Sequence, residues 1–134
     1  EETDLYVGKE HILFVEDDDM VRDVTVRSLI SMGYQVTEAE NGVHALEKIS
    51  ESKEKFDLII TDLTMPKMNG RTLVKKVLSN CPEVKVIYCS GYSEEIAAND
   101  GLIEDDFPLL SKPFTILELT KTIRETMDGG NKKE

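Results

Sequence analysis

Short apolar or alternating segments take turns with longer amphipathic segments along the chain. The short segments have the length and pattern of strands, and they predict strands at His11–Val15, Tyr34–Glu38, Leu58–Thr61, Val84–Cys89 and Phe107–Leu110. The longer segments repeat apolar residues at helical spacing, and they predict helices at Asp19–Met32, Asn41–Ser52, Gly70–Asn80, Ser93–Asn99 and Thr115–Met127. Strand and helix therefore alternate five times.

This alternation predicts an α/β fold, with a doubly wound parallel sheet covered by helices on both faces. Residues 1–9 are polar and are predicted to be a linker or tail, residues 10–127 the folded domain, and residues 128–134 a second polar tail. Two helices carry a specific expectation about their apolar residues. The first has Met20, Val21, Val24, Leu29 and Met32 at helical spacing, and the second is predicted to turn Val43, Leu46 and Ile49 inward.

Polar side chains follow the strands at the points where the strands end. Four acids, Glu16 to Asp19, follow the first strand, and Asp62 follows the third. Ser90 follows the fourth strand and Lys112 the fifth. In parallel sheets of this kind, ligands bind at the carboxyl ends of the strands. If strands one, three and four are neighbours, these acids, a hydroxyl and an ammonium come together.

Clustered carboxylates repel one another, so such a site needs raised pKa values or a bound cation. All-oxygen ligands with few protein donors suit Mg²⁺. An aspartate in such a site, here Asp62, is a competent nucleophile toward phosphorus. Lys112 and the Ser90 hydroxyl are suitable donors to phosphoryl oxygens.

Each of these residues also has a structural interpretation. Asp18 and Asp19 are suited to be the N-cap and a first-turn acid of the first helix, and Glu16 and Asp17 could serve in the same way. Asn69 could cap the third helix. A single acid after a strand is often a turn former, and a single lysine is often a solvated surface residue. The order of these residues at consecutive strand ends is what favours a functional site.

Composition bounds the class of protein. The chain has 134 residues, the size of one ordinary domain, and a formal net charge of −11, which argues against binding to nucleic acid or to an anionic membrane surface. No apolar run approaches the length of a membrane span, and no signal peptide is visible. Cys81 and Cys89 lack metal-site spacing, so a reducing cytosol is the simpler expectation.

Four motifs resemble those of the receiver domains of two-component signalling, the phosphoacceptor modules of response regulators. They occur in the family's order and cover about residues 10 to 127: ILFVEDD, DLIITDLTMPKMNG, VIYCSGY and LLSKPF. The resemblance implies a (βα)5 flavodoxin-like receiver fold with strand order 2-1-3-4-5. It also implies that Asp62 is the phosphoacceptor and that Mg²⁺ is held by Asp17, Asp62 and the backbone carbonyl of Thr64, with Glu16 acting through water.

The resemblance further implies that Ser90 is the switch hydroxyl and Lys112 the phosphate-binding lysine, joined to Pro113 by a cis bond. Thr64 and Tyr92 would line the site. One position departs from the family: the residue three before the lysine, often Tyr or Phe, is Leu109 here. An aromatic switch at that position is therefore not expected.

The resemblance implies a function in a phosphorelay. The phosphoryl donor would be a phosphohistidine of a sensor histidine kinase or of a histidine phosphotransfer protein, and phosphorylation would reshape the face formed by the predicted fourth helix, the fifth strand and the last helix. The resemblance also leaves open whether the chain forms a weak homodimer through that face. The chain is most similar to the C-terminal receiver of a hybrid sensor histidine kinase, which would place it in the cytoplasm. Whether the whole protein is an enzyme stays open.

Four alternatives differ from this interpretation. One is a stand-alone, single-domain response regulator. A second is a haloacid-dehalogenase-type phosphatase, whose motif needs an aspartate where Thr64 stands. A third is a flavin carrier, whose phosphate loop would be rich in Ser, Thr and Gly where this chain has four acids. A receiver that binds partners without phosphorylation is disfavoured because its site residues are all present.

Overall fold

Five parallel strands form one sheet in the order β2-β1-β3-β4-β5, as the family resemblance implied. The computed structural model describes residues 6–91 and 107–129. The predicted helix Ser93–Asn99 lies outside them, as does Tyr92. The strands are β1 (His11–Val15), β2 (Gln35–Ala39), β3 (Leu58–Asp62), β4 (Lys85–Ser90) and β5 (Leu109–Ser111). Each lies within two residues of its predicted bounds.

Residue type explains the placement of β3 at the centre of the sheet. Every residue of this strand is buried, and its Leu-Ile-Ile run supplies apolar side chains to both faces. Val15 of β1 pairs with Thr61 of β3, and Asp62 pairs with Cys89 of β4. Because these three strands are adjacent and parallel, their carboxyl ends meet at one edge of the sheet.

Four helices cover the sheet in the described part of the chain. They are α1 (Asp19–Ser31), α2 (Gly42–Glu51), α3 (Gly70–Asn80) and α4 (Ile116–Gly129). Helices α2 and α3 pack with Leu13, Ile59 and other strand residues of one face, whereas α1 and α4 pack with the alternate residues, such as Phe14 and Ile60, on the other. The two-residue period of the strands therefore supplies two separate apolar cores.

The predicted inward face of α2 is partly wrong, and in α1 the apolar residues at helical spacing do not all face the sheet. In α1 the buried residues are Thr25, Val26 and Leu29, whereas Met20 is 78% exposed and Val24 is 61% exposed. In α2 Val43 is exposed rather than inward. An α-helix has 3.6 residues per turn, so turning the 25–26–29 face of α1 to the sheet leaves positions 20 and 24 on the side that faces away from it.

The described end of the predicted N-terminal tail lies against the domain. The Tyr34 hydroxyl donates to the backbone oxygen of Tyr6 over 2.7 Å. The guanidinium of Arg124 donates to the backbone oxygen of Val7 over 3.1 Å and pairs with the carboxylate of Glu10. The chain that leads into β1 is thus held on the C-terminal helix and the start of β2.

Candidate functional site

Three carboxylates converge at the carboxyl edge of the sheet. Glu16 and Asp17 follow β1 directly, Asp62 is the last residue of β3, and one carboxylate oxygen of each lies within 4.8 Å of the others. Glu16 is 2% exposed and Asp62 is 5% exposed, whereas Asp17 is exposed to solvent. The predicted proximity of these acids is therefore observed, and it follows from the adjacency of β1 and β3.

The ammonium group of Lys112 lies between two of these acids. Its Nζ is 2.9 Å from Oε1 of Glu16 and 2.9 Å from Oδ1 of Asp62. The backbone holds this lysine in place, because its N–H donates to the carbonyl of Ser90 over 2.8 Å. The peptide bond between Lys112 and Pro113 is cis, as the resemblance implied. Lys112 is thus a half-buried partner of the acid cluster rather than a solvated lysine.

The electrostatic balance of the cluster is unfavourable to the Asp62 carboxylate. Burial raises the pKa of Asp62, and the charge of Glu16 raises it further, so that the pKa reaches about 7 although the hydrogen bond and the charge of Lys112 lower it. For Lys112 itself, burial disfavours the ammonium, but the hydrogen bonds to Asp62 and Glu16 prevail and raise its pKa. One cation therefore does not compensate three carboxylates.

This donor set fits a magnesium ion. The available ligand atoms are carboxylate oxygens, which Mg²⁺ prefers, and the solvent-exposed side of Asp17 leaves room for the waters that Mg²⁺ retains. A divalent cation would also relieve the repulsion that raises the pKa of Asp62. Thr64 lies in the loop after Asp62, and its side chain is exposed. Its backbone carbonyl is the group that the resemblance implied as a ligand of Mg²⁺.

Ser90 stands at the end of β4, beside the strand that carries Asp62. Its hydroxyl is buried and has no hydrogen-bond partner within residues 6–91 and 107–129. An unpaired buried hydroxyl costs about 1–3 kcal/mol, so native structures seldom keep one without a reason. A hydroxyl in this state is free to donate to an oxygen that enters the site.

Gly70 lies close to the backbone of Asp62 and Leu63, where β3 ends and the loop that follows it begins. The Gly70 N–H donates to the carbonyl of Leu63 over 2.8 Å, and a Cβ added at position 70 would collide with the backbone oxygen of Asp62. Asn69 caps α3 by accepting a hydrogen bond from the N–H of Thr72, which confirms the structural interpretation of that residue. A glycine at position 70 thus permits α3 to begin directly against the end of β3.

The remaining residues that the sequence singled out lie outside the three-carboxylate cluster or outside the described residues. Asp18 is the N-cap of α1, as its structural interpretation predicted, and it is not part of the three-carboxylate cluster. Leu109 lies in β5, paired with Tyr88 of β4, and packs against the apolar core of the α2–α3 face. Tyr92 is outside the described residues.

Two features escaped the sequence interpretation. Arg22 donates to the backbone oxygen of Glu16 over 2.7 Å, and only its spacing of three residues from Asp19 hinted at an ion pair. In addition, a groove of about 630 Å³ opens beside Lys112, lined by exposed apolar residues of α1 such as Met20 and Val24 and by Phe114. The helical spacing of the apolar residues of α1 did not show which of them are exposed, so the groove was not predicted.

None of the helices within residues 6–91 and 107–129 combines the length and the apolar character of a membrane span.

Comparison with known proteins identifies relatives across nearly the whole chain. The family of the response regulator receiver domain matches residues 12–124. The sensor kinase CckA of Brucella abortus is 40% identical over 121 residues, which is 90% of this chain and 13% of that protein. The response regulator receiver protein CpdR of the same organism is 34% identical over 116 residues, which is 87% of this chain and 95% of that protein.

Solved structures of receiver domains superpose on this chain over most of its length. The receiver domain of the hybrid histidine kinase CckA superposes with a TM-score of 0.73 at 34% identity, over 88% of this chain and 99% of that one. A CheY-like receiver domain protein from Methanospirillum hungatei superposes with a TM-score of 0.79 at 29% identity, over 95% of this chain and all of that one. The chain spans about an eighth of the length of the CckA kinase and nearly all of CpdR.

Proposed function

The chain belongs to the response regulator receiver domain family of two-component signalling, and we propose on this basis that Asp62 accepts a phosphoryl group from a phosphohistidine. One observation supports this assignment most strongly. Asp62 is a buried carboxylate with a raised pKa, held between a second acid, Glu16, and the ammonium of Lys112. A carboxylate in so unfavourable a place needs a reason, and reaction with phosphorus supplies one.

The proposed transfer uses the groups around Asp62. A carboxylate oxygen of Asp62 attacks the phosphorus, the bond between phosphorus and the donor's imidazole nitrogen breaks, and the imidazole keeps the electron pair. The product is an acyl phosphate on Asp62. Lys112 and the unpaired hydroxyl of Ser90 are the donors that would bind the oxygens of the new phosphoryl group.

Receiver domains use Mg²⁺, and here Asp17, Asp62 and the backbone carbonyl of Thr64 would hold it, with Glu16 acting through water; the carboxylates of Glu16, Asp17 and Asp62 lie together in the structure. When bound, the ion neutralises the charge that the incoming phosphoryl group adds to a carboxylate cluster. The residues of the chain do the rest. Burial excludes water from Asp62, and Lys112 and Ser90 orient the phosphoryl oxygens.

The donor protein is proposed to lie along the apolar groove beside the site. Met20 and Val24 of α1 expose apolar side chains there, and Lys112 lies in the same groove. A helix that carries a phosphohistidine could cover these apolar residues while its imidazole reaches Asp62. We propose that the donor is a sensor histidine kinase or a histidine phosphotransfer protein in the cytoplasm.

The wider protein is proposed to be a hybrid sensor histidine kinase with this receiver at its C-terminus, because the kinase CckA is among its most similar relatives. The second candidate is a stand-alone response regulator. Its support is the similarity to CpdR, nearly all of whose length the chain covers. In either protein the signal would be read at the face that includes β5 and α4, with Leu109 in place of an aromatic switch residue.

The test is phosphorylation by a small acyl phosphate, such as acetyl phosphate, with intact-mass detection. We expect wild type to gain one phosphoryl group that is labile to base and to hydroxylamine when Mg²⁺ is present, and none in EDTA. Asp62→Asn is expected to gain none, whereas the control Asp23→Asn, an exposed acid of α1, labels like wild type. Labelling of Asp62→Asn at the wild-type rate, or labelling independent of Mg²⁺, would contradict the proposal.

A further inference from the structure

Arg22 connects three separate segments at the carboxyl edge of the sheet. From the first turns of α1 it donates through Nη1 to the backbone oxygen of Glu16 over 2.7 Å, through Nη2 to Asp19 over 2.5 Å, and through Nε to Glu38 of β2 over 3.3 Å. Its side chain is only 15% exposed. Three directed hydrogen bonds from one guanidinium fix both the arginine and the segments that it contacts.

We propose that Arg22 is a positioning residue for magnesium binding: it locks the backbone of Glu16 so that the carboxylates of Glu16 and Asp17 stay beside Asp62. This inference rests on the proposed function, in which these carboxylates hold Mg²⁺. The hydrogen bonds of Arg22 go to Glu16, Asp19 and Glu38 and not to Asp62. Its effect on the site is therefore transmitted through the turn that follows β1.

The contacts of Glu16 show how completely that turn is held. Its N–H donates to the carbonyl of Ala39 over 3.0 Å, and its Oε2 accepts from the N–H of Asp18 over 3.0 Å. Its Oε1 lies 2.9 Å from Nζ of Lys112. Arg22 satisfies the backbone carbonyl of the same residue, so each polar group of Glu16 has a partner, and loss of Arg22 leaves that carbonyl without its charged donor.

Arg22 also separates the acids of this edge into two groups. Asp19 and Glu38 pair with Arg22, whereas Glu16 and Asp62 pair with Lys112. The two pairs of carboxylates therefore have separate cationic partners. Without the guanidinium, Asp19 and Glu38 would repel the neighbouring acids, and the turn would relax away from Asp62.

A positioning role and a purely electrostatic role predict opposite signs. Arg22 is a cation near a cation site, so removing its charge alone would strengthen the binding of Mg²⁺. If Arg22 acts by holding the turn, removing it weakens the binding of Mg²⁺, as is usual for residues that support metal ligands from outside. The sign of the change in affinity therefore decides between the two roles.

The experiment is calorimetric titration of the purified protein with Mg²⁺, at a temperature where circular dichroism shows every variant to be folded. We expect Arg22→Met to raise the Mg²⁺ dissociation constant roughly tenfold. Arg22→Lys keeps the charge but not the planar donor set, so a loss of several-fold is expected there too. The control Arg27→Met, an exposed arginine of α1 paired with Asp23, is expected to bind Mg²⁺ like wild type.

A second measurement reports on the turn without any metal. The N–H of Asp18 donates to Glu16, and its hydrogen exchange is expected to accelerate in Arg22→Met but not in Arg27→Met. Magnesium binding by Arg22→Met as tight as or tighter than wild type would overturn the positioning role. If Arg22→Met does not fold, unchanged binding by Arg22→Lys overturns it instead. Absence of Mg²⁺ binding by wild type would overturn the proposed function and this inference together.

Discussion

Replacing Asp62 by asparagine is expected to stabilise the metal-free protein. In the folded chain the carboxylate of Asp62 is buried beside Glu16, and these two causes raise its pKa from 3.8 to about 7 despite the ion pair with Lys112. In the unfolded chain the same carboxylate is solvated and far from other acids. Ionised Asp62 therefore opposes folding, and a neutral amide of the same shape removes that opposition.

The size of the effect follows from the difference in pKa. A shift of about three pKa units corresponds to roughly 4 kcal/mol when Asp62 is fully ionised, at 1.36 kcal/mol per unit. This figure is an upper bound for two reasons. The site opens to solvent at Asp17, and an asparagine at position 62 lacks the charge that pairs with the ammonium of Lys112. We expect the free energy of unfolding to rise by about 2 kcal/mol at pH 7.5.

The pH dependence has a definite sign. A carboxyl group with a raised pKa in the folded state binds its proton more tightly there, so stability falls as pH rises. The penalty is absent below the ordinary value of 3.8 and complete above about 7. The advantage of Asp62→Asn over wild type is therefore expected to be close to zero near pH 4 and to grow up to neutral pH.

Urea unfolding followed by far-ultraviolet circular dichroism in EDTA, between pH 4.5 and 8, measures this advantage directly. The control is Asp23→Asn, which removes an exposed carboxylate and is expected to stay within about 0.5 kcal/mol of wild type at every pH. Addition of Mg²⁺ is expected to stabilise wild type but not Asp62→Asn. If Asp62→Asn is no more stable than wild type at pH 7.5, or if its advantage does not change with pH, the electrostatic reasoning is wrong.

Two further substitutions test the packing around the site and the N-terminal contact. Gly70→Ala is expected to destabilise the fold by about 1–3 kcal/mol because its Cβ meets the backbone of β3, whereas Gly129→Ala, whose Cβ meets nothing within 4 Å, is expected to be neutral in urea unfolding; equal effects would contradict this. Arg124→Met is expected to cost about 2 kcal/mol and to speed hydrogen exchange before β1, because it removes the donor to Val7 and the partner of Glu10; unchanged exchange there would contradict it.

Local features of the fold were predictable because neighbouring residues determine them. The caps Asp18 and Asn69 precede helices whose apolar spacing is visible in the sequence, and the side chain of each accepts a hydrogen bond from the backbone N–H three residues later. The bounds of β3 follow from an apolar run, and α3 begins at Gly70, which follows the cap Asn69. Strand order was different, since it was implied by the resemblance and not by any local pattern.

Features that depend on distant residues were not predictable. Helical spacing alone did not reveal which face of α1 meets the sheet, and it did not separate Met20 and Val24, which are exposed, from Leu29, which is buried. The contact between Glu10 and Arg124 joins residues 114 positions apart, and no pattern marks either of them. The partners of Arg22 likewise come from the turn after β1 and from β2 as well as from its own helix.

By itself the sequence determined the alternation of strand and helix and the chemical groups at each strand end, because both depend on residue type and on neighbours in the chain. Only the tertiary structure decided the state of those groups. Lys112 reaches Asp62 across 50 positions, and Asp62 receives its raised pKa from burial and from the nearby charge of Glu16. Desolvation and Coulomb energies depend on distances in space, which the folded sheet alone fixes.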